Sequence, residues 1–129
     1  AGNAHMDVFS METDEHSAYI NYLHVVQGSI VQAFTFEYRK RLEESAEELL
    51  LMGIVEMRER FQSHAKEIIV PFPIDFPDPS ITLTIPQRGD KKNLLNLSGL
   101  NVKQYKFDRL KQSEKLNPEQ RNVRLMKEI

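Results

Sequence analysis

Cysteine and tryptophan are both absent from the 129 residues. Without thiols there is no disulfide framework and no thiolate nucleophile, which accords with a reducing compartment such as the cytoplasm. No apolar run approaches the roughly 18 residues of a membrane span, so no membrane partner is expected. The lead "AGNAHM" carries neither the basic end nor the apolar stretch of an export signal and reads as a cloning remnant, residues 1–6. A single domain is then expected over 7–129. The Gly-x-Ser-x-Gly elbow and the HExxH metal motif are missing. His5 falls in the lead, and His16, His24 and His64 are isolated along the chain. His24, inside an apolar strand, is expected to be structural. No catalytic residue, metal ligand or cofactor of this chain's own is therefore expected.

What is present is an ordinary globular composition, 40% hydrophobic and 28% charged, at 15.1 kDa. The net charge of −2 conceals a division. Residues 1–85 hold 6 Lys/Arg against 14 Asp/Glu, whereas residues 86–129 hold 11 against 5. Two ends so opposite in sign are expected to meet different partners, or each other, unless the division is only an acidic body carrying a solvated basic helix.

Along the chain, "DVFSM" (7–11), "AYINYLHVV" (18–26) and "SIVQAFTFEY" (29–38) are rich in β-branched and aromatic residues and form three expected strands. Gln27-Gly28 supplies a tight turn between the last two, because glycine adopts positive φ without steric cost. In the third strand Ile30, Phe34, Phe36 and Tyr38 fall on one face and Val31, Ala33 and Thr35 on the other, so the sheet is expected to be covered on both sides. Ser45 and Glu48 make a capping box, followed by Leu49, Leu50, Ile54, Met57 and Phe61 at helical spacing and an end near 62–65. Gly53 interrupts that helix at a cost of about 1 kcal/mol relative to alanine, which points to close packing on the sheet. "KEIIVPF" (66–72) is a short buried strand. "PFPIDFPDPS" (71–80), with four prolines in ten residues, is a rigid connection. "ITLTIP" (81–86) alternates, with Ile81, Leu83 and Ile85 inward and Thr82 and Thr84 outward. A long helix is expected from about Lys91 to Ser113, and Asn117-Pro118 opens a last one. The result is an α+β class: a three-stranded antiparallel meander, a helix, two further strands and C-terminal helices, compatible with a ribonuclease-H-like sheet and with other α+β sandwiches.

Two groups of residues invite a chemical reading. Asp7, Glu56, Asp75 and Asp78 would converge as a two-metal nuclease set if the sheet were ribonuclease-H-like. The plainer reading makes Glu56 a surface charge and Asp75 and Asp78 turn formers in the proline segment. The second group begins in "PQRGDKKNLLNLSGLN" (86–101), where Gly89 permits a turn, Asp90 stands as a helix cap, and Arg88, Lys91 and Lys92 crowd a helix N-terminus. The helix dipole opposes cations at that end, whereas free amides and basic side chains together suit a phosphate. Lys103, Lys106 and Arg109, interleaved with Tyr105 and Phe107, continue the basic pattern, a modest nucleic-acid signature.

The stretches "VPFPID", "IPQRGDKKNLLNLSGLN" and "YKFDRLKQ", with "EELLLMGIVEMRERF" and "YINYLHVVQGSIVQAFTFE", resemble the C subunit family of the bacterial UvrABC excinuclease, especially its Bacteroidetes-type members. The resemblance covers about residues 7–129. Pro86, Arg88, Gly89, Asp90, Lys91, Lys92, Leu95, Leu97 and Asn101 fit its P-x-R-G-D/E-K-K…L…L…N pattern, while Gly99 and Val102 depart from it. It implies a nucleotide-excision-repair nuclease of which this chain is an internal piece. A GIY-YIG nuclease and a UvrB-interacting hairpin would precede it, and a ribonuclease-H-like nuclease and a helix-hairpin-helix module would follow. It implies damaged DNA and UvrB as partners, a cytoplasmic location, and Mg²⁺ for the parent's nuclease domains rather than for this piece. No catalytic residue of the family carries over onto this sequence. The expectation is a domain that positions the following nuclease and contacts DNA backbone through Arg88, Lys91, Lys92, Lys103, Lys106 and Arg109. The competing expectation is a purely structural or protein-interaction domain.

Overall fold

The computed structural model describes residues 5–116, with side chains described as far as Ser113. β1 (His5–Thr13), β2 (Ser17–Val26) and β3 (Ser29–Arg39) form the antiparallel meander. α1 (Ala46–Arg60) leads to β4 (Glu67–Ile69), then β5 (Thr82–Thr84) and α2 (Gly89–Leu116). One five-stranded sheet results, ordered β3-β2-β1-β4-β5, in which β4 lies parallel to β1 and β5 parallel to β4. β1 runs two residues beyond the expected strand at each end. His5 and Met6 pair with Val26 and Val25, so both belong to the folded sheet. The helix expected from Asn117 and Pro118 lies outside the described residues.

Strand parity explains the layering. Phe9, Ile20, Tyr22, Ile68 and Val70 point to one face, where Leu50, Ile54 and Met57 of α1 complete a buried cluster. Val8, Leu23, Val25 and Ile69 point to the other and meet Leu95 of α2. Both faces are covered, as the apolar strands required. The turn at Gln27-Gly28 has φ of 50° and 81°, the two positive values that a two-residue hairpin of matching twist demands. A register shift follows. Val25 pairs with Ile30, but His24 pairs with Gln32, which leaves Val31 as an extra residue. This bulge reverses the parity. Ile30 lies on the Val25 face, not with Phe34 and Phe36 as simple alternation has it.

α1 starts where its capping box requires. Ser45 Oγ accepts from the Glu48 amide at 3.1 Å, and Glu48 Oε2 accepts from the Ser45 amide at 3.1 Å. It ends at Arg60, earlier than the 62–65 expected, because Gln62 turns the chain through φ 54°. Gly53 lies directly on the sheet: a Cβ there would come within 2.9 Å of Ile20 Cδ1. Parallel β4 and β5 need a crossover, and the proline segment provides it without a helix. Phe72, Ile74, Phe76 and Ile81 pack on the α1-side cluster in its place. β5 departs from strict alternation, since it is a three-residue edge strand. Ile85 is 37% exposed, and the Thr84 hydroxyl, expected outward, donates to Glu67 Oε2 at 2.6 Å.

α2 lies close to the sheet through small and polar side chains. Ser10 Oγ donates to the Leu95 carbonyl at 3.2 Å, and Ser98 Oγ donates to Asn21 Oδ1 at 2.7 Å. Each hydroxyl and amide is buried with its partner, so neither carries an unmet desolvation cost.

Truncating a side chain of the α1-side cluster tests this architecture. Ile54, fully buried against Phe9 and Tyr22, should lose roughly 2–5 kcal/mol of stability on Ile54→Ala. A urea melt giving under about 1 kcal/mol would mean that α1 faces the sheet differently.

Candidate nucleic-acid interface

Asp7 lies on the α1 face of β1 with no exposure to solvent. An isolated carboxylate there would be prohibitively costly, so its oxygens are matched donor by donor. Oδ1 accepts from Tyr22 Oη at 3.0 Å and lies 2.7 Å from His24 Nδ1. Oδ2 accepts from Arg58 Nη1 at 2.7 Å and from Ser63 Oγ at 2.7 Å. Arg58 Nη1 also donates to the Ala65 carbonyl at 2.9 Å. Burial and the neighbouring Asp7 charge push the Tyr22 hydroxyl well above the ordinary tyrosine range, so it remains a donor at any physiological pH. His24 is held in this network through its Nδ1 contact with Asp7.

The four carboxylates weighed as a metal set are not assembled. Asp7 is occupied by the Arg58 guanidinium, and Glu56 is exposed on α1. Asp78 accepts from the Ser80 amide at 2.9 Å and hydroxyl at 2.7 Å, and those bonds hold its carboxyl below the usual range. It is a turn former, and Asp75 is exposed in the same segment. Among the described residues no group of three or more His, Asp or Glu could hold a metal ion.

The basic residues divide into two sets. α2 begins at Gly89 with φ 84°, which puts Asp90 in the first turn instead of at the cap. Lys91 Nζ donates to Glu67 Oε2 at 2.7 Å. Burial pushes the Glu67 carboxyl up, but the Lys91 ammonium and Thr84 hydroxyl outweigh it and leave the group lowered. Lys106 Nζ lies 3.8 Å from Glu12 Oε1 and 5.7 Å above the Tyr19 ring. Arg109 Nε and Nη2 both reach Glu37 Oε1 at 3.2 Å. The basic helix and the acidic sheet meet each other at these three points. Arg88, Lys92 and Lys103 have no ion-pair partner among the described residues; Arg88 and Lys103 are exposed and Lys92 half-buried. Lys92 and Lys103, three turns apart, share one flank of α2, about 16 Å along the axis.

A five-stranded sheet ordered 3-2-1-4-5, antiparallel at one edge and parallel at the other, with helices on both faces, is a ribonuclease-H-like domain. The chain belongs to the UvrC ribonuclease H-like domain family, whose model matches residues 5–109. It is 66% identical over 125 residues to the UvrABC system protein C of Bacteroides thetaiotaomicron, covering 96% of this chain and 20% of that protein. It is 56% identical over 122 residues to the UvrABC system protein C of Porphyromonas gingivalis, covering 94% and 20%. The chain thus spans about a fifth of the length of the curated relatives it matches. Among solved structures, the crystal structure of human ENDOV aligns with TM-score 0.42 and 12% identity over 54% of this chain and 34% of that one. None of the described helices is long and apolar enough to cross a membrane.

Removing Arg58 leaves the Asp7 carboxylate buried with one charge uncompensated. Arg58→Ala should therefore cost about 3–5 kcal/mol, read by denaturant melts. Glu56→Gln, on the exposed side of the same helix, should change stability by under about 0.5 kcal/mol. Equal effects from the two would mean that the Asp7 centre does not hold the fold.

Proposed function

We propose that this chain is an internal domain of a UvrC-type subunit of the UvrABC excinuclease, acting in nucleotide excision repair of damaged DNA in the bacterial cytoplasm. In this reading it positions the nuclease that follows it and adds contacts to DNA backbone from α2. Incision and its Mg²⁺ requirement belong to other parts of the longer protein, and so does the main contact with UvrB. The observation that carries the DNA contact is that three of the six basic residues singled out in and just before α2 have no carboxylate partner among the described residues. Arg88 at the start of α2, with Lys92 and Lys103 along one flank, can reach anionic oxygens without first breaking an internal ion pair. Lys91, Lys106 and Arg109 remain nearby as secondary contacts, each held by Glu67, Glu12 or Glu37.

A second reading keeps the domain purely structural or protein-binding. It is favoured by those same three ion pairs and by Leu100, Phe107 and Leu110, each more than half exposed on α2. Apolar side chains of that size serve a protein contact better than a phosphate contact.

The two readings separate on mutation. Under the first, Arg88→Ala, Lys92→Ala and Lys103→Ala together should weaken binding to damaged duplex by about tenfold or more in any sequence context, measured by fluorescence anisotropy. The melt should be unchanged, because none of the three is paired. Unchanged DNA affinity in the folded triple variant would sink the first reading and leave the second.

A further inference from the structure

We propose that the outer face of α1 is a docking surface for a cationic amphipathic helix supplied by a protein partner. α1 turns Leu49, Leu50, Gly53, Ile54 and Met57 inward. Its crest carries Met52, Val55, Glu56 and Glu59 in adjacent turns, with Leu51 on the shoulder. Met52 is 42% exposed and Val55 48%, and these residues line a shallow depression of about 390 Å³. A β-branched valine on a half-exposed helix position lowers helix propensity and leaves about half of its apolar surface in water. Burial in the fold accounts for only part of its surface.

The charge around this ridge is equally unbalanced. Glu12, Glu37 and Glu67 on the sheet all have cationic partners, whereas the Glu56 and Glu59 carboxylates have none among the described residues. The two arginines of the same helix turn make other contacts. Arg58 is bound to Asp7 and the Ala65 carbonyl, and the Arg60 guanidinium stacks 4.5 Å over the Phe34 ring. Glu48 is held in the helix cap. The face therefore offers three apolar side chains beside two free carboxylates. That pattern is complementary to a helix whose apolar stripe is flanked by lysine or arginine. Nucleic acid is repelled by it. The ridge is only about two and a half turns long, which suits a transient contact rather than an obligate one. This surface lies across the sheet from α2 and does not depend on the DNA-contact reading.

The probe is a synthetic helix-forming peptide of leucine and lysine with leucines along one face. Its controls carry glutamate in place of lysine, or the leucine/lysine composition in scrambled order. Amide chemical shifts of the isotope-labelled chain are followed during titration. The expected result is saturable binding of the first peptide, with shifts concentrated on Leu51, Met52, Val55, Glu56 and Glu59. Both controls should bind about tenfold more weakly or less. Glu56→Lys with Glu59→Lys, and separately Val55→Asp, should each weaken binding at least about tenfold while leaving the melting temperature unchanged. Equal binding of the scrambled peptide, unchanged affinity in the folded charge-reversal variant, shifts centred on any other element, or no binding would each overturn the proposal.

Discussion

A carboxylate with no access to water fixes the position of everything that donates to it. Asp7 draws Tyr22 and His24 from β2, Arg58 from α1 and Ser63 from the segment after it onto two oxygens, with three of the four contacts at 2.7 Å. The network sets the roll of α1 on the sheet, since Arg58 reaches Asp7 only if Ile54 and Met57 turn inward. It also decides which of α1's residues face solvent. Replacing such a centre with apolar packing is often neutral for stability, so its value here is that it specifies one arrangement of layers. The same network occupies the one carboxylate on β1 that a metal site on this face would need.

The sheet separates two surfaces of different character. On the α2 side, Glu12, Glu37 and Glu67 neutralise half of the basic residues singled out along the helix, and Arg88, Lys92 and Lys103 remain. Exposed ion pairs of this kind contribute little to stability, typically ~0–1 kcal/mol. Their larger effect is on the local field, because they decide which cations are left for an outside anion. On the α1 side the balance reverses, with apolar residues beside unpaired carboxylates. A domain built this way presents surfaces of unlike chemistry on the two sides of one sheet.

Local signals in the sequence carried well into the structure. The meander, the turn at Gln27-Gly28, the Ser45–Glu48 capping box and the inward stripe of α1 were all legible, because each depends on residues near one another in the chain. Features set by distant residues were not. The parallel pairing of β4 with β1 leaves no local trace, and the bulge at Val31 reversed a face assignment that simple alternation made for Ile30. Short β5 offered too few residues for its periodicity to hold at Thr84 and Ile85. The pairing of Asp7 also has a signal in the sequence. It shares strand parity with Phe9 and Met11, and a carboxylate on an apolar strand face must be paired. The six basic residues were legible as a group, but their division needed the sheet's carboxylates in three dimensions.

The proposed contact between α2 and nucleic-acid backbone depends on a small, unpaired subset of cations. Salt dependence of binding counts such contacts directly, because each neutralised phosphate of duplex DNA releases counterions and adds about 0.9 to the log–log slope. Titrating the unmodified chain with a damaged duplex over a range of salt should therefore give a slope of about −3 or steeper, with Arg88, Lys92 and Lys103 as the primary contacts. A slope indistinguishable from zero, or no binding even at low salt, would contradict it.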